Sequence, residues 1–167
     1  MLNLWRFHDI IIKNGKGIDR MRGFEVAKGY EKLTINLPKR STHASAGYDF
    51  ETCEDLVINP NEIKLAKTGV KAFMQEDEVL KLYPRSSLPR TFGVTIPNNV
   101  GIIDADYYGN PDNDGAIFVS LINFTNEIQT IPKGTRIAQG IFMKYLTITN
   151  EPPINEKRNG GFGSTGK

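Results

Sequence analysis

The sequence predicts an all-β fold, a jelly-roll-like barrel or sandwich of short strands in one domain. Three observations carry that reading. Short runs rich in β-branched and aromatic residues recur along the chain, punctuated by Pro, Asn, Asp and Gly at fairly regular spacing. No helical segments alternate with them, which argues against a parallel sheet wound with helices. The 167 residues suit one domain and are enough to bury a single core.

The elements follow in order. MLNLWRFHDIIIK is too short and too polar for a membrane span, and its basic residues follow the apolar pieces instead of preceding them. NGKG, Asn14 to Gly17, is a turn or linker signal. Residues 1–20 therefore read as an N-terminal extension, 21–157 as the β domain and 158–167 as a Gly-rich flap. RGFEVA after Met21 is the first run with strand character, then LTINL and DLVI. EIKLAKTGVKAFM alternates in part around Gly69, which predicts a bend or bulge there. EVLKLY precedes the one helical turn, expected at Ser87 to Thr91, and GVTI follows it. AIFVSLINF is almost wholly apolar, so burial on both faces is expected. IQTI and RIAQGIFMKYLTI complete the series.

Composition narrows the function. Net charge is +2, and residues 1–32 hold seven Lys and Arg against four acids, leaving the rest of the chain nearly balanced. No basic stripe with interleaved aromatics runs through the main body, so neither a nucleic-acid nor a membrane partner is expected. Cys53 is the only cysteine, which rules out an intrachain disulfide and suits a reducing, cytoplasmic setting. His8 and His43 are the only histidines, too few for a His-rich metal cluster, whereas an ion such as magnesium needs mainly carboxylates, water and phosphates.

Five blocks carry chemistry. In GIIDADYYG, Gly101 to Gly109, strand alternation puts Asp104 and Asp106 on one face and Ile103, Ala105 and Tyr107 on the other. Asn98 and Asn99 after Pro97 read as a turn feeding a hairpin, where a carboxylate can act as a base and backbone amides can read a flat polar ligand. Most Asp-rich turns are only solvated, so this block alone decides nothing. PRSSLPR, Pro84 to Arg90, offers Arg85 for a forked phosphate contact with Ser86 and Ser87 beside it; a capped turn with a surface arginine is the bland alternative. GTRIAQG puts Arg136, Ala138 and Gly140 on one face and Ile137 and Gln139 on the other, and a glutamine in an apolar strand needs a partner. AGYDF, Ala46 to Phe50, sets Asp49 between two aromatics, by itself only strand chemistry. GGFGSTGK at the end is too glycine-rich for a core element, yet it carries an aromatic and two hydroxyls, which suits a flap closing on a ligand. It lacks the GKS or GKT ending of a P-loop.

In this order the blocks resemble the five motifs of the homotrimeric dUTPase family: AGYDF the first, PRSS the second, GIIDADYYG the third, GTRIAQ the fourth and GGFGSTG the fifth. The resemblance runs from Arg22 to Lys167. It implies a dUTPase-like homotrimer with exchanged C-terminal tails, and hydrolysis of dUTP to dUMP and pyrophosphate. It also implies Mg2+ held mainly by the substrate phosphates and water, with no direct protein ligand. By the same resemblance Asp104 is the general base and Gln139 helps hold the attacking water. Asn98 and the Gly101–Ile103 backbone read uracil, while Tyr107 packs under deoxyribose and excludes a 2′-hydroxyl. Arg85, Ser86 and Ser87 meet phosphate, Asp49 supports them from behind, and Phe162, Gly163, Ser164 and Thr165 form the closing flap. Phosphoryl chemistry asks a protein mostly for positioning and charge neutralisation, which these residue types supply.

Two departures stand out. The fifth motif usually has an arginine five positions before its phenylalanine; here Lys157 stands there, with Arg158 beside it as the other candidate for the tail cation. NPDNDG, Asn110 to Gly115, is a longer turn than the family requires. A deaminase of the dCTP type shares the fold, but its glutamate on the following strand is missing, with Ser120 where it would stand. A regulator binding a protein partner, as in some phage relatives, would use residues 1–20 or the 110–115 loop.

Overall fold

The structure, a computed structural model, describes residues 21–154. Strand β1 spans Gly23–Val26, β2 Lys39–Arg40, β3 Tyr48–Glu51, β4 Leu56–Ile58, β5 Ile63–Lys67, β6 Val70–Phe73 and β7 Glu78–Pro84. Helix α1 covers Leu88–Phe92, followed by β8 Val94–Thr95, β9 Gly101–Asp104, β10 Phe118–Asn123, β11 Gln129–Ile131 and β12 Arg136–Lys144. Every pairing among them is antiparallel, in four sheets ordered β2-β3-β12-β7-β9, β5-β10-β8, β1-β6 and β11-β4. Phe50, Leu80, Leu121, Ile131 and Ile137 are fully buried where the inner faces meet, so the all-β expectation holds. Among the described residues no helix is long and apolar enough to cross a membrane.

Local chemistry explains the punctuation. Gly69 lies at φ +70° between β5 and β6, a left-handed step that sends the two strands into different sheets. Pro89 opens α1, and Gly93 closes it in the left-handed conformation.

Three expectations are corrected. LTINL forms no strand: Ile35 packs against the core, and its side chain comes within 2.7 Å of where a Cβ on Gly69 would sit, so the alternation serves packing and not a ladder. AIFVSLINF is not buried on both faces; Val119, Leu121 and Asn123 are buried while Phe118, Ser120 and Ile122 are only half covered. That outer face continues onto β5, where Ile63 and Leu65 are 58% and 45% exposed. Asn123 is tolerated inside because its amide donates to the Ile58 and Glu127 carbonyls and accepts from Thr125. Finally, Asp104 and Asp106 do not share a strand face, because the backbone leaves β9 at Asp104 and winds into a 3₁₀ turn over Ala105–Tyr107.

The start of the domain is tied down by charge. Glu78, 3% exposed, accepts from Arg22 Nε at 3.0 Å and from the Gln75 amide at 3.2 Å. The Arg22 hydrogen bond outweighs burial and holds the Glu78 carboxyl below the usual glutamate range. The folded chain therefore binds fewer protons here than the unfolded one. The stability involved is present in full above about pH 4.3 and is lost as pH falls through the lower folded value. Arg22→Ala is expected to cost about 1–3 kcal/mol at neutral pH, because it strips a buried carboxylate of its charged donor. Urea denaturation at pH 7 measures that loss, and the difference from the parent should shrink on acidification.

Candidate active site

Strand β12 gathers three of the five blocks. Gln139 stands opposite Asp49 on β3 and opposite Tyr83 on β7, so blocks distant in sequence become ladder neighbours. Its amide donates to the Pro84 carbonyl at 3.3 Å. Gly47 packs closely on this side chain: a Cβ there would lie 2.8 Å from the Gln139 Oε1 and would displace the amide. A bulge between Arg136 and Ala138 interrupts the predicted alternation, so Ile137 and Ala138 are both buried.

Asp49 is the hub of this half. Its carboxylate accepts from Arg85, from Ser41 Oγ at 2.9 Å and from Arg136 Nη1 at 3.3 Å. Burial pushes its carboxyl up, but the hydrogen bonds from Arg85 and Ser41 and the charges of Arg85 and Arg136 prevail, leaving it below the ordinary aspartate range. The anion fixes the Arg85 guanidinium, while Ser86 and Ser87 are exposed beside it. Ser87 occupies the N-cap of α1 without a side-chain cap hydrogen bond, so its hydroxyl is not used to cap the helix. Sequence reasoning gave neither Ser41 nor Arg136 a role. Arg136 was visible in its block, whereas Ser41 sits just past β2 in a bend that no periodicity marks.

The other half lies on β9. Asn98 and Asn99 are exposed in a turn closed by Asn99 N–H to the Ile96 carbonyl at 3.1 Å, with Asn99 at φ +61°. This turn does not join a tight hairpin, because β8 pairs with β10 and β9 with β7. It opens onto a cavity of about 500 Å³ lined by Tyr83, Pro84, Asn99, Val100, Gln139 and Ile141. Gly101 lies over Leu82, Ile103 packs against the core, and Asp104 is half-buried at the strand end. Tyr107 is 5% exposed, its phenol hydroxyl donating to the Ala116 carbonyl at 3.2 Å.

Asp104 lies toward the opposite end of β7 from Arg85 and Gln139, although Asn99 and Val100 share a cavity with Gln139. Asp104 sits opposite Val79, whereas Arg85 follows Pro84 at the far end of β7, six residues or roughly 20 Å away. Gln139, opposite Tyr83, is four residues or roughly 13 Å along from Val79 and one further strand across. One water cannot bridge that gap, so a single chain does not bring Asp104 to Gln139 or Arg85. Lys157, Arg158, Phe162, Gly163, Ser164 and Thr165 lie outside the described residues. Among the described residues there is no group of three or more His, Cys, Asp or Glu that could hold a metal ion.

Known proteins with this pattern are dUTPases. A dUTPase family model matches residues 34–166. The deoxyuridine 5'-triphosphate nucleotidohydrolase of Lactococcus lactis is 53% identical over 148 residues, covering 88% of this chain and 99% of the relative. The enzyme of the same description from Nautilia profundicola is 37% identical, covering 78% and 91%. The crystal structure of dUTPase from Streptococcus mutans superposes with a TM-score of 0.73 at 45% identity, over 77% of this chain and 99% of that one. A mutant dUTPase from phage phi11 of S. aureus, which coordinates a structural Mg(II) ion, shares the fold at 21% identity and a TM-score of 0.62, over 81% and 97%.

Proposed function

This chain belongs to the dUTPase family and acts as a dUTP diphosphatase, and from that premise we propose that it works in sites assembled between three copies of itself. The observation that supports shared sites is the separation along β7: the proposed base and the proposed phosphate grip stand roughly 20 Å apart in one chain. The half-covered outer face of β10 and the exposed Ile63 and Leu65 beside it supply apolar surface for association.

In this reading one copy contributes the base and the nucleoside pocket. Asn98 and the backbone of Gly101–Ile103 hydrogen-bond the polar edge of uracil, and the tight approach leaves no room for a 5-methyl group. Tyr107 lies under the sugar. Asp104 takes a proton from a water, whose oxygen attacks the α-phosphorus; the bond to the α–β bridging oxygen breaks and pyrophosphate leaves. A second copy supplies Gln139 to orient that water, with Arg85, Ser86 and Ser87 on the phosphates and Asp49 holding Arg85 in aim. The third closes the site with Phe162, Gly163, Ser164 and Thr165, with Lys157 or Arg158 as the tail cation. The substrate is dUTP with Mg2+ on its phosphates, and the ion neutralises their charge. The reaction clears dUTP from the nucleotide pool and yields dUMP for thymidylate synthesis.

The test is pyrophosphate release with Mg2+, comparing dUTP with UTP, dTTP and dCTP on one preparation. Release from dUTP alone is the expected result, with each competitor at least about a hundredfold slower. Comparable release from UTP would remove the role given to Tyr107, and ammonia from dCTP would move the chain to the deaminases.

A further inference from the structure

The longer turn after the third block grips the residue before it. Asn113 donates its Nδ2–H to the Tyr107 hydroxyl at 2.7 Å, while its Oδ1 accepts the Gly115 amide at 3.0 Å. The amide orientation is thereby fixed, with oxygen toward Gly115 and nitrogen toward the phenol. The turn is closed internally by Asp114 N–H to the Asn110 carbonyl at 2.7 Å and Ala116 N–H to the Asn113 carbonyl at 3.0 Å. Gly115 is held at φ +79°, where a Cβ would lie 2.5 Å from the Tyr107 carbonyl oxygen, so the turn presses on that residue's backbone as well.

The turn is itself anchored from outside. The Asp114 carboxylate accepts from the Lys28 amide at 2.8 Å and from Lys71 Nζ at 2.7 Å. Lys71 lies 4.8 Å from the centre of the Tyr108 ring, and the Tyr108 hydroxyl donates to Glu25 at 2.6 Å. The turn is thus tied at Asp114 to β6 and to the segment after β1, while the grip on the Tyr107 phenol is made by Asn113 within the turn.

We propose that Asn113 is a positioning residue that fixes the Tyr107 ring beneath the sugar and so sets the discrimination between dUTP and UTP; this rests on the role given to Tyr107 above. An apolar surface rejects an added hydroxyl weakly unless it cannot give way. Two hydrogen bonds to the phenol, from Asn113 and to Ala116, resist the retreat of the ring that a 2′-hydroxyl would require.

The experiment measures kcat/KM for dUTP and for UTP on the full chain with Mg2+. Asn113→Ala is expected to lower the dUTP-to-UTP ratio roughly tenfold. Tyr107→Phe removes that hydrogen bond together with the one to Ala116 while keeping the ring, so it bounds the effect of the contact even where Asn113→Ala fails to fold. The double variant should lose no more selectivity than Tyr107→Phe alone, the signature of one shared contact. Asp114→Asn loosens the outer anchor without touching the phenol; it should lower the melting temperature and leave the ratio unchanged. A matching fall in the ratio with Asp114→Asn, or additive losses in the double variant, would overturn the inference. Tyr107→Leu separates the two levels. A ratio intact in Tyr107→Leu overturns the sugar contact itself. A ratio that collapses there but survives Asn113→Ala and Tyr107→Phe overturns the role of Asn113 alone.

Discussion

Asp104→Asn is expected to lower kcat for dUTP by about 10²–10⁴-fold while leaving nucleotide affinity near that of the parent. Asparagine has nearly the shape of aspartate but cannot accept the proton of the attacking water. The substitution falls at the end of β9, so the backbone of Gly101–Ile103, proposed above to read the base, keeps its pairing with β7. Rapid-mixing turnover and equilibrium titration with a non-hydrolysable dUTP analogue separate the two quantities. A near-normal rate would place the base elsewhere, and Asp106, exposed in the 3₁₀ turn two residues on, would be examined next. Weakened binding with unchanged kcat would make Asp104 a substrate ligand instead.

The second large effect comes from mixing two inactive chains. Asp104→Asn and Arg85→Ala variants each lack one essential group in every site. When the two are unfolded together and refolded as mixed oligomers, about a quarter of the sites should recover both intact groups by independent assortment. Activity should rise from near zero to about that fraction of the parent. The expectation follows from the opposite placement of Asp104 and Arg85 along β7, which supports the proposal that they meet only across different chains. If one chain supplied both, no mixed site would be whole and the mixture would equal the sum of its parts.

Most of the strands were legible because short β-branched runs between turn formers leave little choice, and Gly69 and the single turn at Leu88–Phe92 were legible from glycine and proline chemistry. LTINL misled because alternation reports burial, and Ile35 obtains its burial by packing over Gly69 without a strand partner. AIFVSLINF misled in a different way. Its apolar outer side is half open in one chain, so continuous hydrophobicity stood for a face that a single chain does not cover. The candidate site residues stand out block by block in the sequence, but the end of the strand each block occupies does not. That depends on register, which pairs Val79 with Asp104 and Tyr83 with Gln139, and no local pattern encodes it. Ser41 and Asn113 were missed for the same reason: each acts on a partner reached only through the fold, Asp49 for one and the Tyr107 hydroxyl for the other.

Strand β7 sets the tolerance of the chain to changes of length. Deleting one residue between Leu80 and Tyr83 would draw its two ends together by roughly 3.3 Å and turn every side chain beyond the deletion to the opposite face. If those ends serve separate sites, as proposed above, a single lost residue would damage two reaction centres at once. The turn at 110–115 lies between strands, so a change of length there would disturb Tyr107 and the Asp114 contacts with Lys28 and Lys71 but no strand register. Insertions and deletions should therefore accumulate in that turn across related sequences while β7 keeps a constant count.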